Sequence, residues 1–250
     1  MKWKTPWWTA VLVAIGVSGC ASAASLPATA PTTNEGHTAA GHPADPWEGF
    51  NRAIFSFNEG VDRVVVKPLA QGYDAIVPDL VKRGVRNFFG NLGDPWIGFN
   101  NLLQGKVGEA FSDWMRFGFN TTFGVFGLFD IASEAGLPKH NEDLGQTLAR
   151  WGVGDGPYVV LPLLGPRTLR DALAWPVDRL GDPSTHLADD SARFAVKGVD
   201  VVATRATFLP ADAQKVGAID PYAFVRDAYL QRRHYLIHDG NPPIVYERFE

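Results

Sequence analysis

The chain has 250 residues, 46% of them hydrophobic, 20% charged and 12% aromatic, enough apolar material to bury a core and too much for a disordered or collagen-like chain. Its formal charge is -4, and without a leader carrying Lys2 and Lys4 it has 21 Lys+Arg against 27 Asp+Glu, a net -6. Such a balance does not favour nucleic acid as a partner. One cysteine excludes an intramolecular disulfide framework and any multi-cysteine metal site.

Residues 1–19 read as a signal peptide. Lys2 and Lys4 precede an apolar run from Trp7 to Val17, and Ser18 and Gly19 stand before Cys20, the three-part order of a secreted leader. Eleven helical residues rise only about 16 Å, too little to span a hydrocarbon core. Val17-Ser18-Gly19-Cys20 resembles a bacterial lipobox, in which the cysteine is lipidated and becomes the new N-terminus. Ala21 is not the aspartate that typically holds such proteins at the inner membrane, so the resemblance implies the periplasmic face of the outer membrane. Several acyl chains anchor stably, each contributing ~0.8 kcal/mol per buried CH2. Residues 20–44 are rich in Ala, Ser, Thr, Pro and Gly and read as a lipid anchor with a flexible linker.

The body begins at Asp45. Asp-Pro recurs at Asp45-Pro46, Asp94-Pro95, Asp182-Pro183 and Asp220-Pro221, and each pair can cap and open a helix. Asp45-Pro46-Trp47-Glu48 also fits a capping box. Trp47, Phe50, Ile54, Phe57, Val61 and Val64 recur every three or four residues, the stripe of an amphipathic helix. Asp45-Pro46-Trp47-x-Gly49-Phe50-Asn51 is echoed by Asp94-Pro95-Trp96-x-Gly98-Phe99-Asn100, which predicts two similar helix starts. A second stripe, Leu169, Leu173, Val177 and Leu180, is expected to be kinked or broken at Pro176, and a less regular one includes Phe224, Ala228 and Ile237. Only Tyr158 to Leu164 reads as extended, with Pro162 arguing against a central strand. The pattern predicts a mainly α domain with little or no β.

Phe111 to Ile131 is crowded with Phe and Trp and spaced by Gly118, Gly124 and Gly127. Asp113, Arg116 and Asp130 argue against a lone transmembrane helix. The stretch fits either an ordinary core or helices lying at a bilayer interface. Nucleophile-elbow, zinc-protease and phosphate-loop motifs are absent from the sequence. Gly152, Gly154 and Gly156 alternate but lack the strand context of a dinucleotide fingerprint, leaving a passive turn or a hinge. His234 and His238 have the spacing of half a metal site, with no carboxylate identifiable to complete it, and Glu142 and Asp143 are adjacent rather than paired on one face. No catalytic residue, metal or cofactor is predicted beyond covalent lipid on Cys20.

Asp45-Pro46-Trp47-Glu48-Gly49-Phe50-Asn51-Arg52, Phe119-Asn120-Thr121-Thr122-Phe123-Gly124, Gly127-Leu128-Phe129-Asp130-Ile131-Ala132, Gly152-Val153-Gly154-Asp155-Gly156-Pro157-Tyr158, Leu161-Pro162, and Asp220-Pro221-Tyr222 with Arg226, in this order behind a lipobox, resemble the VacJ/MlaA outer-membrane lipoproteins over roughly residues 45–238. The resemblance implies that residues 45–250 form a ring of amphipathic in-plane membrane helices around a central channel. It further implies binding to a trimeric outer-membrane porin and clearance of phospholipid from the outer leaflet. The lipid would pass to a soluble periplasmic carrier and, through it, an inner-membrane ATP-binding-cassette (ABC) transporter complex. Gly152, Gly154, Asp155 and Gly156 match a flexible hairpin that borders and gates the channel, and Phe57 matches an aromatic whose region tunes its opening. Asp45, Pro46, Gly49, Phe50, Asn51, Arg52, Asn120 and Asp130 match motif positions expected to be structural. The sequence ends soon after His238, short of the polar tail of some relatives, so carrier docking through such a tail does not carry over. A porin-associated scaffold without transport activity is the alternative.

Overall fold

The computed structural model describes residues 42–243. The signal peptide, Cys20 and the linker up to residue 41 lie outside the described residues. Ten α-helices and one two-stranded hairpin make up the described residues: α1 Glu48–Val61, α2 Lys67–Ile76, α3 Asp79–Leu103, α4 Val107–Thr122, α5 Ile131–Glu134, α6 Leu144–Arg150, β1 Tyr158–Leu161, β2 Gly165–Thr168, α7 Leu169–Leu180, α8 Asp190–Thr207, α9 Asp212–Gly217 and α10 Pro221–Ile237. A single π-helical turn, Asp62–Val66, joins α1 to α2. No helix among the described residues is long and apolar enough to cross a membrane.

The four Asp-Pro pairs divide. Asp220 caps α10 by accepting from the amides of Tyr222 and Ala223, and Asp182 caps the short 3-10 helix Pro183–His186. Asp45 does not cap α1, whose N-cap position is Trp47 with no side-chain bond. Its carboxylate is buried and engaged by distant side chains instead. Nor does Asp94-Pro95 start a helix, because both residues sit inside the 25-residue α3. Asp94 is held by Lys139 and lies 3.8 Å from Arg116, so tertiary ion pairing takes the carboxylate that would otherwise cap. The expected pair of equivalent helix starts is therefore one start and one mid-helix segment. Pro176 likewise lies within α7 without ending it. The extended segment pairs with a β2 of sequence Gly-Pro-Arg-Thr, in register Tyr158↔Thr168 to Leu161↔Gly165.

Burial is inverted relative to a water-soluble protein, in which charged groups are almost never fully buried unless paired. Apart from Tyr158, Val159, Val160 and Tyr222, the buried hydrophobic residues are alanines, whereas Asn51, Asp94, Asn100, Asn101 and Asp113 have no accessible surface. The apolar stripes face outward: Trp47, Phe50, Phe57 and Val64 on the first, and Leu173, Val177 and Leu180 on α7, are exposed. In α1 the buried residue is Asn51. Within the aromatic-rich stretch the buried side chains are Asp113, Arg116 and Asn120, and Phe111, Phe123, Phe126 and Phe129 are exposed.

Candidate functional site

Among the polar networks that hold the described helices together, three contain the predicted site residues or their partners. In the first, Asn51 Nδ2 donates to Asp45 Oδ1 at 2.8 Å and to the Tyr158 carbonyl at 3.0 Å, while its Oδ1 accepts from the Val160 amide at 2.9 Å. Tyr222 donates its hydroxyl to Asp45 Oδ2 at 2.5 Å. Two turns further along α1, Asn58 donates to the Leu161 carbonyl at 3.0 Å and accepts from the Leu163 amide at 2.8 Å. Seven helical residues rise about 10.5 Å and three strand residues about 10 Å, so two asparagines of α1 reach amides three positions apart, Val160 in β1 and Leu163 in the turn after it. Arg52 forks onto Asp220 at 2.5 and 3.1 Å and lies over the Tyr222 ring at 4.4 Å, joining α1 to the cap of α10. This guanidinium lowers the Asp220 carboxyl to about 2.

In the second network Arg233 of α10 bonds both oxygens of Asp143 at 2.6 Å and reaches Asp171 at 2.7 and 2.9 Å. Burial pushes Asp143 up, but the forked Arg233 outweighs it and the carboxyl titrates below its ordinary range. Gly145 packs so closely here that a Cβ would overlap Arg233 and Asp171. The network extends to the glycine segment through Arg170, which meets Asp155 Oδ1 at 2.7 Å and the Val153 carbonyl at 3.2 Å. Gly152, Gly154 and Gly156 thus lie in an exposed loop between α6 and β1, with φ of +92° at Gly152 and +65° at Gly156. The two-stranded hairpin itself begins immediately afterwards.

The third network unites motif residues Asn120 and Asp130. Arg116 donates to Asp130 Oδ1 at 2.9 Å, as does Asn120 Nδ2 at 3.0 Å, while the Ala132 amide donates to Asn120 Oδ1 at 2.8 Å. Asp94, beside Arg116, is raised by burial despite Lys139.

A cavity of about 650 Å³ opens between α1, the β1–β2 turn, α8 and α10. Phe55, Val160, Leu163, Leu164, Phe208 and Phe224 give it an apolar side. It is also lined by Asp200 and by charges that pair with one another: Arg205 with Asp62 at 2.8 Å and with Asp212 at 2.9 Å, and Lys215 with Glu59 at 2.8 Å. Asn58 lines the cavity, whereas Phe57, the next residue back, is exposed and does not line it. Pro46, Gly49 and Phe50 are also exposed, and Gly49 has nothing within 4 Å of an added Cβ. The glycine loop does not line this cavity; the turn of the β-hairpin does.

The MlaA lipoprotein family model matches residues 43–236. The chain belongs to this family. The intermembrane phospholipid transport system lipoprotein MlaA of Shigella flexneri is 36% identical over 203 residues, covering 79% of this chain and 80% of that protein. Its counterpart in Haemophilus influenzae is 32% identical over 244 residues, covering 96% and 93%. A solved chain, from work on the structural basis for maintenance of bacterial outer membrane lipid asymmetry, superposes with a TM-score of 0.69 at 36% identity and covers 77% of this chain and 98% of its own length. Within the matched range, Asp45, Asn51 and Arg52 form the clamp between α1, the hairpin and α10. Asn58, Arg170, Arg205 and Arg233 escaped the sequence reading. Asn58 alone carried a signal, its seven-residue spacing from Asn51.

Proposed function

We propose that this MlaA-family lipoprotein clears mislocalised phospholipid from the outer leaflet of the outer membrane and passes it toward a periplasmic carrier. The observation that carries the reading is the inverted burial: an apolar exterior on successive helices encloses a charged, hydrogen-bonded interior with an amphipathic cavity. Such a body suits in-plane helices whose outward faces meet acyl chains. A zwitterionic or anionic headgroup crossing hydrocarbon unaided bears a large desolvation cost, which a polar passage lowers. In this reading the helices surround a channel, and the cavity under the hairpin turn is part of it.

Residues 1–19 are the signal peptide, Cys20 carries covalent lipid, residues 20–44 form the tether and residues 45–250 the membrane-embedded body. It binds a trimeric outer-membrane porin, and a soluble carrier feeds the inner-membrane ABC complex. The chain holds no nucleotide motif, so the local step is passive and its partners impose direction. Gly152, Gly154 and Gly156 give the loop carrying Asp155 the freedom to act as a gate, with the Asp155–Arg170 pair as its latch, while exposed Phe57, adjacent in sequence to the cavity-lining Asn58, tunes the opening.

The test measures outer-leaflet phospholipid on cells lacking the protein, complemented by wild type, Cys20→Ala, or Gly152→Pro/Gly154→Pro with abundance checked. Clearance by wild type but not by the normally abundant loop variant supports transport through a gated passage. No rise on deletion, with redundancy excluded, favours a porin-associated scaffold.

A further inference from the structure

Helix α8 separates two unlike spaces. Val201, Thr204, Arg205 and Phe208 face the amphipathic cavity. Val196, Val199, Ala203 and Ala206 lie on the opposite face, against α3. There, an apolar slot of about 290 Å³ is lined by Val85, Phe88 and Phe89 of α3, Leu128, and the α8 valines. A cleft of about 500 Å³ adjoins it, lined by Tyr73, Lys82, Arg83 and Arg86 together with Asp74 and Asp79. The two abut, since Val85 and Arg86 are consecutive and Val199 and Ala203 are one helical turn apart.

The charges in the cleft are unevenly satisfied. Lys82 is taken by Asp74 at 2.7 Å and Asp79 at 3.1 Å. Arg83 and Arg86 are exposed and have neither an ion pair nor a side-chain hydrogen bond among the described residues. Tyr73, on the same wall, buries a hydroxyl without a partner. Two unpaired guanidiniums beside an apolar slot complement an anionic amphiphile, because guanidinium binds phosphate through forked hydrogen bonds and the slot is lined by apolar side chains.

We propose that the α3–α8 groove is a second lipid site, holding an anionic glycerophospholipid with its phosphate at Arg83 and Arg86 and an acyl chain against Phe88, Phe89 and Val196. The proposal rests on the lipid-handling reading above and places a lipid on the far side of α8 from the amphipathic cavity. A groove there would let α8 present lipid from one face while the passage on its other face is occupied.

A photocrosslinking residue replaces Val196 in the groove or Val201 on the cavity face of the full-length lipoprotein, which is purified in detergent and illuminated with phosphatidylglycerol or diacylglycerol. Mass spectrometry identifies the adduct. Val196 should capture phosphatidylglycerol in preference to diacylglycerol. Arg83→Gln/Arg86→Gln should reduce that capture about tenfold, the loss expected of roughly one charge-assisted hydrogen bond. Capture at Val201 should be unchanged, which also reports an intact fold. Capture at Val201 without capture at Val196, or capture at Val196 indifferent to the arginines or to the phosphate, overturns the groove alone. Capture at neither position overturns the groove and the transport reading together.

Discussion

Replacing Asn51 with alanine tests whether polar clamping, rather than an apolar core, holds this fold. Asn51 has no accessible surface and makes three side-chain hydrogen bonds, to Asp45, the Tyr158 carbonyl and the Val160 amide. The substitution strands three buried partners, each costing about 1–2 kcal/mol after relaxation and water entry, so the total loss is about 3–6 kcal/mol. That is a large part of an ordinary domain's stability, and for a body of this length it lowers the melting temperature by roughly 6–24 °C. Asn58→Ala is the internal control, because its two bonds lie at a half-buried position where water can replace them, for a loss of about 1–2 kcal/mol. The assay is thermal unfolding of the detergent-solubilised lipoprotein by tryptophan fluorescence. A melting temperature for Asn51→Ala equal to or above that of Asn58→Ala would refute the clamp.

Gly145→Ala should destabilise by about 1–3 kcal/mol through overpacking against Arg233 and Asp171, whereas Gly118→Ala, with nothing within 4 Å in mid-α4, should stabilise by up to about 1 kcal/mol. Paired denaturation curves compare them. Asp220 is lowered to about 2 by Arg52, so its contribution is full above the unfolded carboxylate range and disappears as pH falls through about 2. Asp220→Asn should therefore flatten the acid limb of a stability–pH profile, and an unchanged limb would count against the pair. Asp155→Asn weakens the pair with Arg170 and should speed amide exchange across residues 152–156 while leaving α7 protected; unchanged exchange there would remove the latch.

Helix positions were legible in the sequence because the apolar stripes keep a helical period, but the direction each stripe faces was not. Phe50 and Phe57 repeat as core residues do, yet both are exposed, since periodicity records amphipathicity and not which solvent the apolar side meets. The Asp-Pro pairs show a second limit. Asp220 and Asp182 cap as the dipeptide suggests, whereas Asp45 and Asp94 are drawn off by Tyr222 and Lys139, partners far away in sequence that no local pattern reveals. β2 was illegible for another reason: Gly-Pro-Arg-Thr has no strand propensity of its own and is extended by pairing with β1. At the site, the motif residues Asp45, Asn51, Asn120 and Asp130 were visible, but which of them pair with each other, with β1 and with Arg116 was not.

The same physics links stability to transport. A body with apolar solvent outside gains little from burying more apolar groups, so the energy that distinguishes one helix arrangement from another comes from close packing and from hydrogen bonds and ion pairs inside. Those bonds are directional: Asn51 and Asn58 fix the hairpin turn over the cavity, and Arg205 fixes the π-helical turn to α9 through Asp62 and Asp212. The glycine loop is the exception. Its contacts include the Asp155–Arg170 pair, with Asp155 more than half exposed, so solvent weakens that contact while Arg170 itself stays anchored on buried Asp171. Opening the loop, as the proposed gating requires, would give up that screened ion pair together with the Arg170 bonds to the Val153 and Asp155 carbonyls, and would leave Arg170 held by Asp171.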